Sequence, residues 1–472
     1  MTQPVTLPLW LLVLVLVFAA VTASTHLLFP SVRWYFRRRA ERLVGELNKR
    51  LERPIQPFKL LRRQDMIQRV IYDPEVVRAV TEYAENEGVR EDVAFEKAKR
   101  YAREIVPSFS ATAYFGVAVR ATRWLSNKLF DVRLHRIDDE ALKAVDKNAT
   151  LVFVINHRSN FDYVLVTYLA GDRSALSYAA GEWAQVWPLS RIVRAMGAYF
   201  IRRRSHTELY RKVLSSYVKK ATEAGVTQAV FPEGGLSRTG LVGPPKLGIL
   251  SYIVQGWRAD GHDVVFVPVS LNYDRVVEDR VLVAAGRSGT RRFRASAPEG
   301  IRFTFRYVWR RLRGRETRFG VAGVTFGKPV SLTDLAQNTA DDRDLVELLG
   351  ERLKDDIEAA VPVVSVPLIM VALLQSGGTG TLSGIAHQIK NLRDQLRHQP
   401  PDFGLADGDD TALNAVLDGL VVRNILSQSD STYRIVETDI AAFYANSVRQ
   451  FLAADAVASI PELATEKKSA KT

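Results

Sequence analysis

The sharpest change of character along the chain falls in Leu151–Tyr168, LVFVINHRSNFDYVLVTY. Leu151–Ile155 is an unbroken apolar run and reads as a strand buried on both faces. The pattern turns polar at Asn156–Asn160, then resumes with helical spacing at Phe161, Val164, Leu165 and Tyr168. Further strands are expected at Asp131–His135, Ser177–Ala180, Ala198–Ile201, Gln228–Phe231, Val264–Leu271 and Gly323–Phe326. Helices are expected at Asp138–Val145, Pro188–Met196, Gly248–Trp257, and Thr207–Ala224 with Gly225 as its stop. Strands alternating with helices predict an α/β fold, a mixed and mainly parallel sheet with helices on both faces.

Helical regions flank this core. Upstream, Val80–Ile105 is rich in Glu, Lys, Arg and Ala, Ser108–Thr112 breaks it, and Ala113–Leu129 resumes the apolar spacing. Downstream, helices are expected at Leu345–Ala360, Leu382–His398, Asp410–Leu426 and Asp439–Leu452, with a short strand at Thr432–Val436. Pro362 and Pro367 interrupt the apolar Ala359–Leu374, which makes it a buried or interface-lying helix rather than a membrane span.

The uncharged run Leu7–Ala23 continues to Phe29, a length suited to crossing ~30 Å of hydrocarbon. Arg33, Arg37, Arg38, Arg39 and Arg42 follow at once and no basic residue precedes it. These flanks predict a single span in the inner (plasma) membrane, with everything after Arg33 in the cytoplasm. The expected organisation is therefore an anchor at 1–30, a helical region at 31–130, an α/β domain at 131–345, a C-terminal helical region at 346–465 and a disordered tail at 466–472.

Charge narrows the partners. The 472 residues hold 65 Lys+Arg against 52 Asp+Glu, a net +13, which points to nucleic acid, an acidic membrane surface or a phosphorylated substrate. The absence of Cys excludes disulfides, thiolate metal sites and a Cys nucleophile. Seven His without an HExxH pattern predict no dedicated metal site. Arg291–Arg318 holds ten Arg among Phe293, Phe303, Phe305, Tyr307 and Trp309. At helical spacing it reads either as a helix lying on anionic lipid, at about 1 kcal/mol per basic residue, or as a solvated helix covering the core.

His157 and Asp162 are candidate chemistry. On one continuous helix their offset rotates the two side chains about 140° apart. If His157 sits on the strand-end turn and Ser159 or Asn160 caps a new helix, Asp162 falls in the first turn and faces back. Its carboxylate then accepts from Nδ1–H and leaves Nε2 free as a base. The same residues also read as a capped helix with an incidental His. Two more strand ends are polar. Arg202 and Arg203 put positive charge after one; Glu233-Gly234-Gly235, with Ser237, Arg238 and Lys246, supplies close backbone approach, a hydroxyl and two cations after the other. A base, a phosphate clamp and an amide-rich turn suit acyl transfer to a hydroxyl of a phosphorylated small molecule.

Asn156–Asp162 resembles the HxxxxD motif of glycerolipid acyltransferases. Gly197–Arg203, Phe231–Gly240 and Val267–Leu271 resemble their second, third and fourth blocks, in family order. The Ser-Arg-Thr-Gly ending at Gly240, Pro244–Lys246 and Tyr101–Ile105 look most like the membrane-bound glycerol-3-phosphate acyltransferase branch, to which dihydroxyacetone-phosphate acyltransferases also belong. The third block departs from the family's frequent pattern at Leu236, where Arg is common. The resemblance implies transfer of a fatty acyl group from acyl-CoA or acyl-carrier protein to the sn-1 hydroxyl of glycerol-3-phosphate, the first step of phospholipid synthesis, with no metal or other cofactor. It implies His157 as base and Asp162 as its partner, amides near Gly234 and Gly235 at the oxyanion, and Arg203, Arg238 and Lys246 at the phosphate. Glu233 and Ser237 fix the turn or touch glycerol hydroxyls, and Arg158 and Arg202 support. Dihydroxyacetone phosphate and lysophosphatidate are the alternative acceptors; anionic membrane lipid is the further partner, and nucleic acid is not. A reading of another class is a membrane-tethered basic protein that binds lipid or nucleic acid without catalysis. It needs Arg291–Arg318 but not His157 and Asp162. Ser237 as a hydrolase nucleophile lacks the GxSxG elbow.

Overall fold

The computed structural model describes residues 8–23, 38, 42, 44–171, 174–181, 189–202, 207–287, 318–337, 341–396, 400–406 and 408–463. The chain divides into two compact units, 1–55 and 56–472. In the first, the helix Leu9–Ala23 exposes Trp10, Leu14, Leu16, Phe18 and Val21. Its 15 residues reach about 22 Å, short of the ~30 Å of a bilayer core. Among the described residues no helix is long and apolar enough to cross a membrane. The span expected over 1–30 is thus not found among the described residues, and its residues 1–7 and 24–30 lie outside them. Thr22 Oγ1 donates to Phe18 O at 2.7 Å.

In the second unit, eight strands form one sheet. They are β1 (Asp131–Arg136), β2 (Thr150–Ile155), β3 (Ser177–Gly181), β4 (Tyr199–Ile201), β5 (Gln228–Val230), β6 (Val264–Tyr273), β7 (Val321–Phe326) and β8 (Val330–Ser331). The order is β1-β7-β6-β2-β5-β3-β4, with β8 also on β6. β2 runs parallel to β5 and β6, and β3 parallel to β5 and β4. Only β7 and β8 run antiparallel to β6, so the sheet is mixed and mainly parallel, as expected. β2 shows no alternation because both its faces are covered. Leu151, Phe153 and Ile155 enter one core, and Val152 and Val154 the other.

Helices cover both faces of the sheet. The core around Val152 and Val154 receives the helices Arg63–Ile71, Pro74–Glu87 and Glu91–Ile105, together with Glu208–Glu223, Gly248–Gln255 and Asp342–Ala359. The helical stretch expected at Val80–Ile105 is divided by Gly88, whose φ of 63° ends one helix in the left-handed region, a conformation that costs glycine little. The other core receives Asp162–Ala170 and the C-terminal helices Ser365–Gln375, Leu382–Asp394, Asp410–Val422 and Thr438–Ala445. Ser365–Gln375 is buried almost throughout, and Pro367 falls in its first turn, where a missing N–H costs little. A second sheet joins β9 (Thr379–Thr381), β10 (Leu426–Ser429) and β11 (Thr432–Ile435) in the order β10-β11-β9. Only β11 was expected; β9 and β10 are short and polar, without an apolar period. The basic segment 291–317 and the tail 466–472 lie outside the described residues.

Asp274, just past β6, locks the halves together. Its Oδ2 accepts from Val321 N–H (2.8 Å) and its Oδ1 from Val366 N–H (2.9 Å). Burial pushes this carboxyl up from 3.8 to about 6. The folded chain therefore binds that proton more tightly than the unfolded chain. The resulting stability is fully present below the ordinary value and is lost as pH rises through about 6. At ~1.4 kcal/mol per unit, the window is worth about 3 kcal/mol. Urea unfolding of the wild type and Asp274→Asn should show the wild type losing stability relative to the variant, by an amount of that order, between pH 4 and 7; a constant difference contradicts it.

Candidate active site

Sheet register assembles the site. Val154 of β2 pairs with Val230 of β5, so three residues further on His157 lies opposite Glu233. The His157 N–H donates to Glu233 Oε1 at 2.9 Å, and Glu233 Oε2 accepts from Gly243 N–H at 3.0 Å. Ser237 N–H returns to His157 O at 2.8 Å. On the other side, the Asn156 side chain continues the ladder to β6, donating to Leu271 O (3.0 Å) and accepting from Leu271 N–H (2.7 Å). The polar break thus keeps its strand pairing through a side chain.

The chain then turns, and Asp162 opens the helix Asp162–Ala170. This carboxylate is 0% exposed. Its Oδ2 accepts from His157 Nδ1–H (2.9 Å), Arg158 N–H (2.8 Å) and Ser159 N–H (3.0 Å), and its Oδ1 from the Tyr273 hydroxyl (2.7 Å). With two amide donors on the same oxygen, Nδ1 is the imidazole nitrogen that carries hydrogen, and Nε2 holds the lone pair. The expected cap takes a different form. Asp162 itself gathers the turn's amides, while Ser159 Oγ donates to Glu278 Oε2 at 2.7 Å and Asn160 N–H to Glu278 Oε1 at 2.9 Å.

The imidazole is packed between rings. Phe231 stacks on it at 4.2 Å and Tyr163 meets it edge-on at 5.5 Å. His157 and Arg158 are each 2% exposed. Arg158 Nη1 donates to Gly240 O, while its Nε and Nη2 have no partner among the described residues. Burial pulls this guanidinium down and the neighbouring Glu233 and Asp162 carboxylates push it back up. Burial also raises the carboxyls of Glu233 and Glu278, against the hydrogen bonds that each accepts.

The other expected residues divide. Gly234 has φ 64°, and a Cβ there would lie 2.8 Å from Lys246 Cδ and 3.1 Å from its Nζ. The left-handed backbone is what calls for glycine, since the end of the Lys246 side chain can shift, and Lys246 lays its cation across the turn that also holds half-buried Gly235. Ser237 Oγ donates to Leu241 O (2.7 Å) and accepts from Gly240 N–H (3.1 Å), so it fixes the turn. Arg238 Nη1 reaches Ala285 O at 3.4 Å. Arg202 is drawn to the helix Glu91–Ile105, where Nε donates to Glu104 Oε1 at 2.7 Å and the guanidinium lies 5.6 Å from the Tyr101 ring centroid. Arg203 lies outside the described residues. Sequence reasoning missed the roles of Tyr273, Glu278 and the Phe231 ring. A signal existed for Tyr273: the apolar run of β6 turns polar at Asn272-Tyr273-Asp274, as β2 does at Asn156. Among the described residues no cluster of three or more His, Cys, Asp and Glu is placed to hold a metal ion.

Residues 136–272 match a family described as Acyltransferase, and residues 297–470 match the glycerol-3-phosphate acyltransferase C-terminal region. The chain is similar to the glycerol-3-phosphate acyltransferase of Pseudomonas aeruginosa strain UCBPP-PA14, with 30% identity over 84% of this chain and 49% of that protein. It is 27% identical to that of Ectopseudomonas mendocina strain ymp over 84% of this chain and 50% of that one. The chain spans about half the length of the curated relatives it matches. The crystal structure of the 1-acyl-sn-glycerophosphate acyltransferase of Thermotoga maritima aligns at 18% identity over 52% of this chain and 77% of that chain, with a TM-score of 0.32, too distant to argue from.

Glu233→Gln keeps the side chain's shape but offers one acceptor where two amides converge. The expected loss is about 1–3 kcal/mol of unfolding free energy, read by urea titration, with turnover falling alongside. An unchanged midpoint and rate contradict a positioning role for Glu233.

Proposed function

We propose that this chain, which belongs to the glycerol-3-phosphate acyltransferase family, moves a fatty acyl group from an acyl-CoA or acyl-carrier-protein thioester to the sn-1 hydroxyl of glycerol-3-phosphate. One observation carries the reading: His157 Nδ1 lies 2.9 Å from Asp162 Oδ2 at the C-terminal end of a central parallel strand, the place where open α/β sheets bind ligands. His157 Nε2 takes the proton of the hydroxyl as its oxygen attacks the thioester carbonyl. Asp162 stabilises the imidazolium. The tetrahedral intermediate then expels the thiolate, which takes the proton back from Nε2. Amides of the Gly234-Gly235 turn hold the oxyanion. Lys246, lying across that turn, binds the phosphate together with Arg238 and Arg203. Arg202, paired with Glu104, supports the block from behind. His157 is 2% exposed, so the reading requires its cover to move aside for the substrates.

The apolar helix Leu9–Ala23, exposed along its length, supports attachment to the inner (plasma) membrane with the acyltransferase domain on the cytoplasmic side. The net charge of +13 supports anionic lipid as a partner.

The test is a transfer assay with the full chain in lipid vesicles, labelled acyl-CoA or acyl-carrier protein, and three acceptors: glycerol-3-phosphate, dihydroxyacetone phosphate and lysophosphatidate. Acylation of glycerol-3-phosphate is expected. Transfer to one of the others alone reassigns the acceptor, and transfer to none leaves the non-catalytic lipid-binding reading. His157→Ala should cut turnover by about 10³-fold or more at an unchanged far-UV circular dichroism spectrum; near-normal turnover would remove His157 as the base.

A further inference from the structure

Asp162 uses one carboxylate oxygen for His157 and the other for a residue 111 positions away in sequence. Tyr273 is 1% exposed and is the last residue of β6. Its backbone is paired with Ala322 of β7, and its N–H donates to Asn272 Oδ1 at 3.0 Å. Its ring packs on Phe130 at 5.4 Å, which in turn meets Phe161 and Phe319. Strand and rings together fix where the hydroxyl points. That point is Asp162 Oδ1, 2.7 Å away.

We propose that Tyr273 is a positioning residue for the transfer reaction: by donating to the Asp162 oxygen that His157 does not use, it sets how strongly that carboxylate holds a proton on the imidazole. The proposal rests on the acyl-transfer reading above. A neutral donor on Oδ1 draws negative charge away from Oδ2 and so weakens its hold on an imidazolium. His157 Nε2 then stays unprotonated, ready to accept from substrate, at lower pH than it would beside an unshared carboxylate. Burial and the Asp162 carboxylate raise the Tyr273 phenol well above its ordinary value, which keeps it a donor throughout the working range. Among the described residues, the other titratable or charged groups facing this pair are Arg158, Glu233, Glu278 and the neutral Tyr163 phenol, edge-on to the imidazole. Arg158 opposes protonation of His157 and the two glutamates favour it, and Tyr273→Phe leaves all three in place.

The test is the pH profile of kcat/KM for Tyr273→Phe in the full chain. The expected acid limb moves up by half to one pH unit, a three- to tenfold loss well below the limb's midpoint, and the loss shrinks to within about twofold on the alkaline plateau. A structural role gives a loss that is the same at every pH, and that result, or an unmoved profile, overturns the proposal. Replacing the tyrosines with 3-fluorotyrosine strengthens the hydroxyl as a donor without removing it and should move the limb the opposite way; this arm decides if Tyr273→Phe does not fold. A second readout is independent of turnover. The 15N resonances of His157, assigned with His157→Gln, should titrate at higher pH in Tyr273→Phe. If the wild type transfers no acyl group, the acyl-transfer reading falls while this shift still decides the hydrogen-bond claim: equal midpoints overturn it.

Discussion

A carboxylate removed from water needs donors on both oxygens, and Asp162 obtains four from two parts of the chain. Isolated burial of such a charge costs several kcal/mol, so the surrounding geometry is not free to vary. The amides of Arg158 and Ser159 impose the conformation of the turn. The imidazole must present Nδ1–H and therefore leaves its lone pair on Nε2. The end of β6 must bring Tyr273 within reach. One ionisable group thus decides a loop shape, a tautomer and the reach of a strand.

The same device recurs beside it. Glu233 fixes the next loop by accepting from His157 and Gly243, and Glu278 fixes Ser159 and Asn160. One buried and two partly buried carboxylates therefore hold the loops around one imidazole, and the buried guanidinium of Arg158 stands among them as counter-charge. This is possible because β6, β2 and β5 are adjacent and parallel, so their C-terminal ends open side by side. In a single strand-to-helix turn there would not be enough donors.

The segment leaving β6 has a second task. Within a few residues of Tyr273, Asp274 ties β7 to the helix Ser365–Gln375, and Asp279 accepts from the Tyr444 hydroxyl at 2.7 Å and pairs with Arg423. Val276 N–H donates to the same Tyr444 oxygen at 3.0 Å. The region that orients the Asp162 carboxylate is thus also the joint to the C-terminal helices. This gives those helices a physical reason to matter for a site to which they contribute no expected catalytic residue.

The sequence by itself determined what acts over a few residues: the apolar runs of β2 and β6, the amphipathic helices and the stop at Gly225; it allowed His157 to meet Asp162 five positions on, and the structure decided that they do. These follow from backbone period and local hydrogen bonding. It also identified the Glu233-Gly234-Gly235 turn, since such composition leaves few other uses. Tertiary structure alone decided that Arg202 is drawn to Glu104, 98 positions away, that Ser237 bonds within its own turn, and that Tyr273 completes Asp162. The reason is the same each time. A buried polar group is satisfied by whatever donor the strand order brings beside it, and strand order is fixed by packing over the whole sheet, which no local pattern encodes.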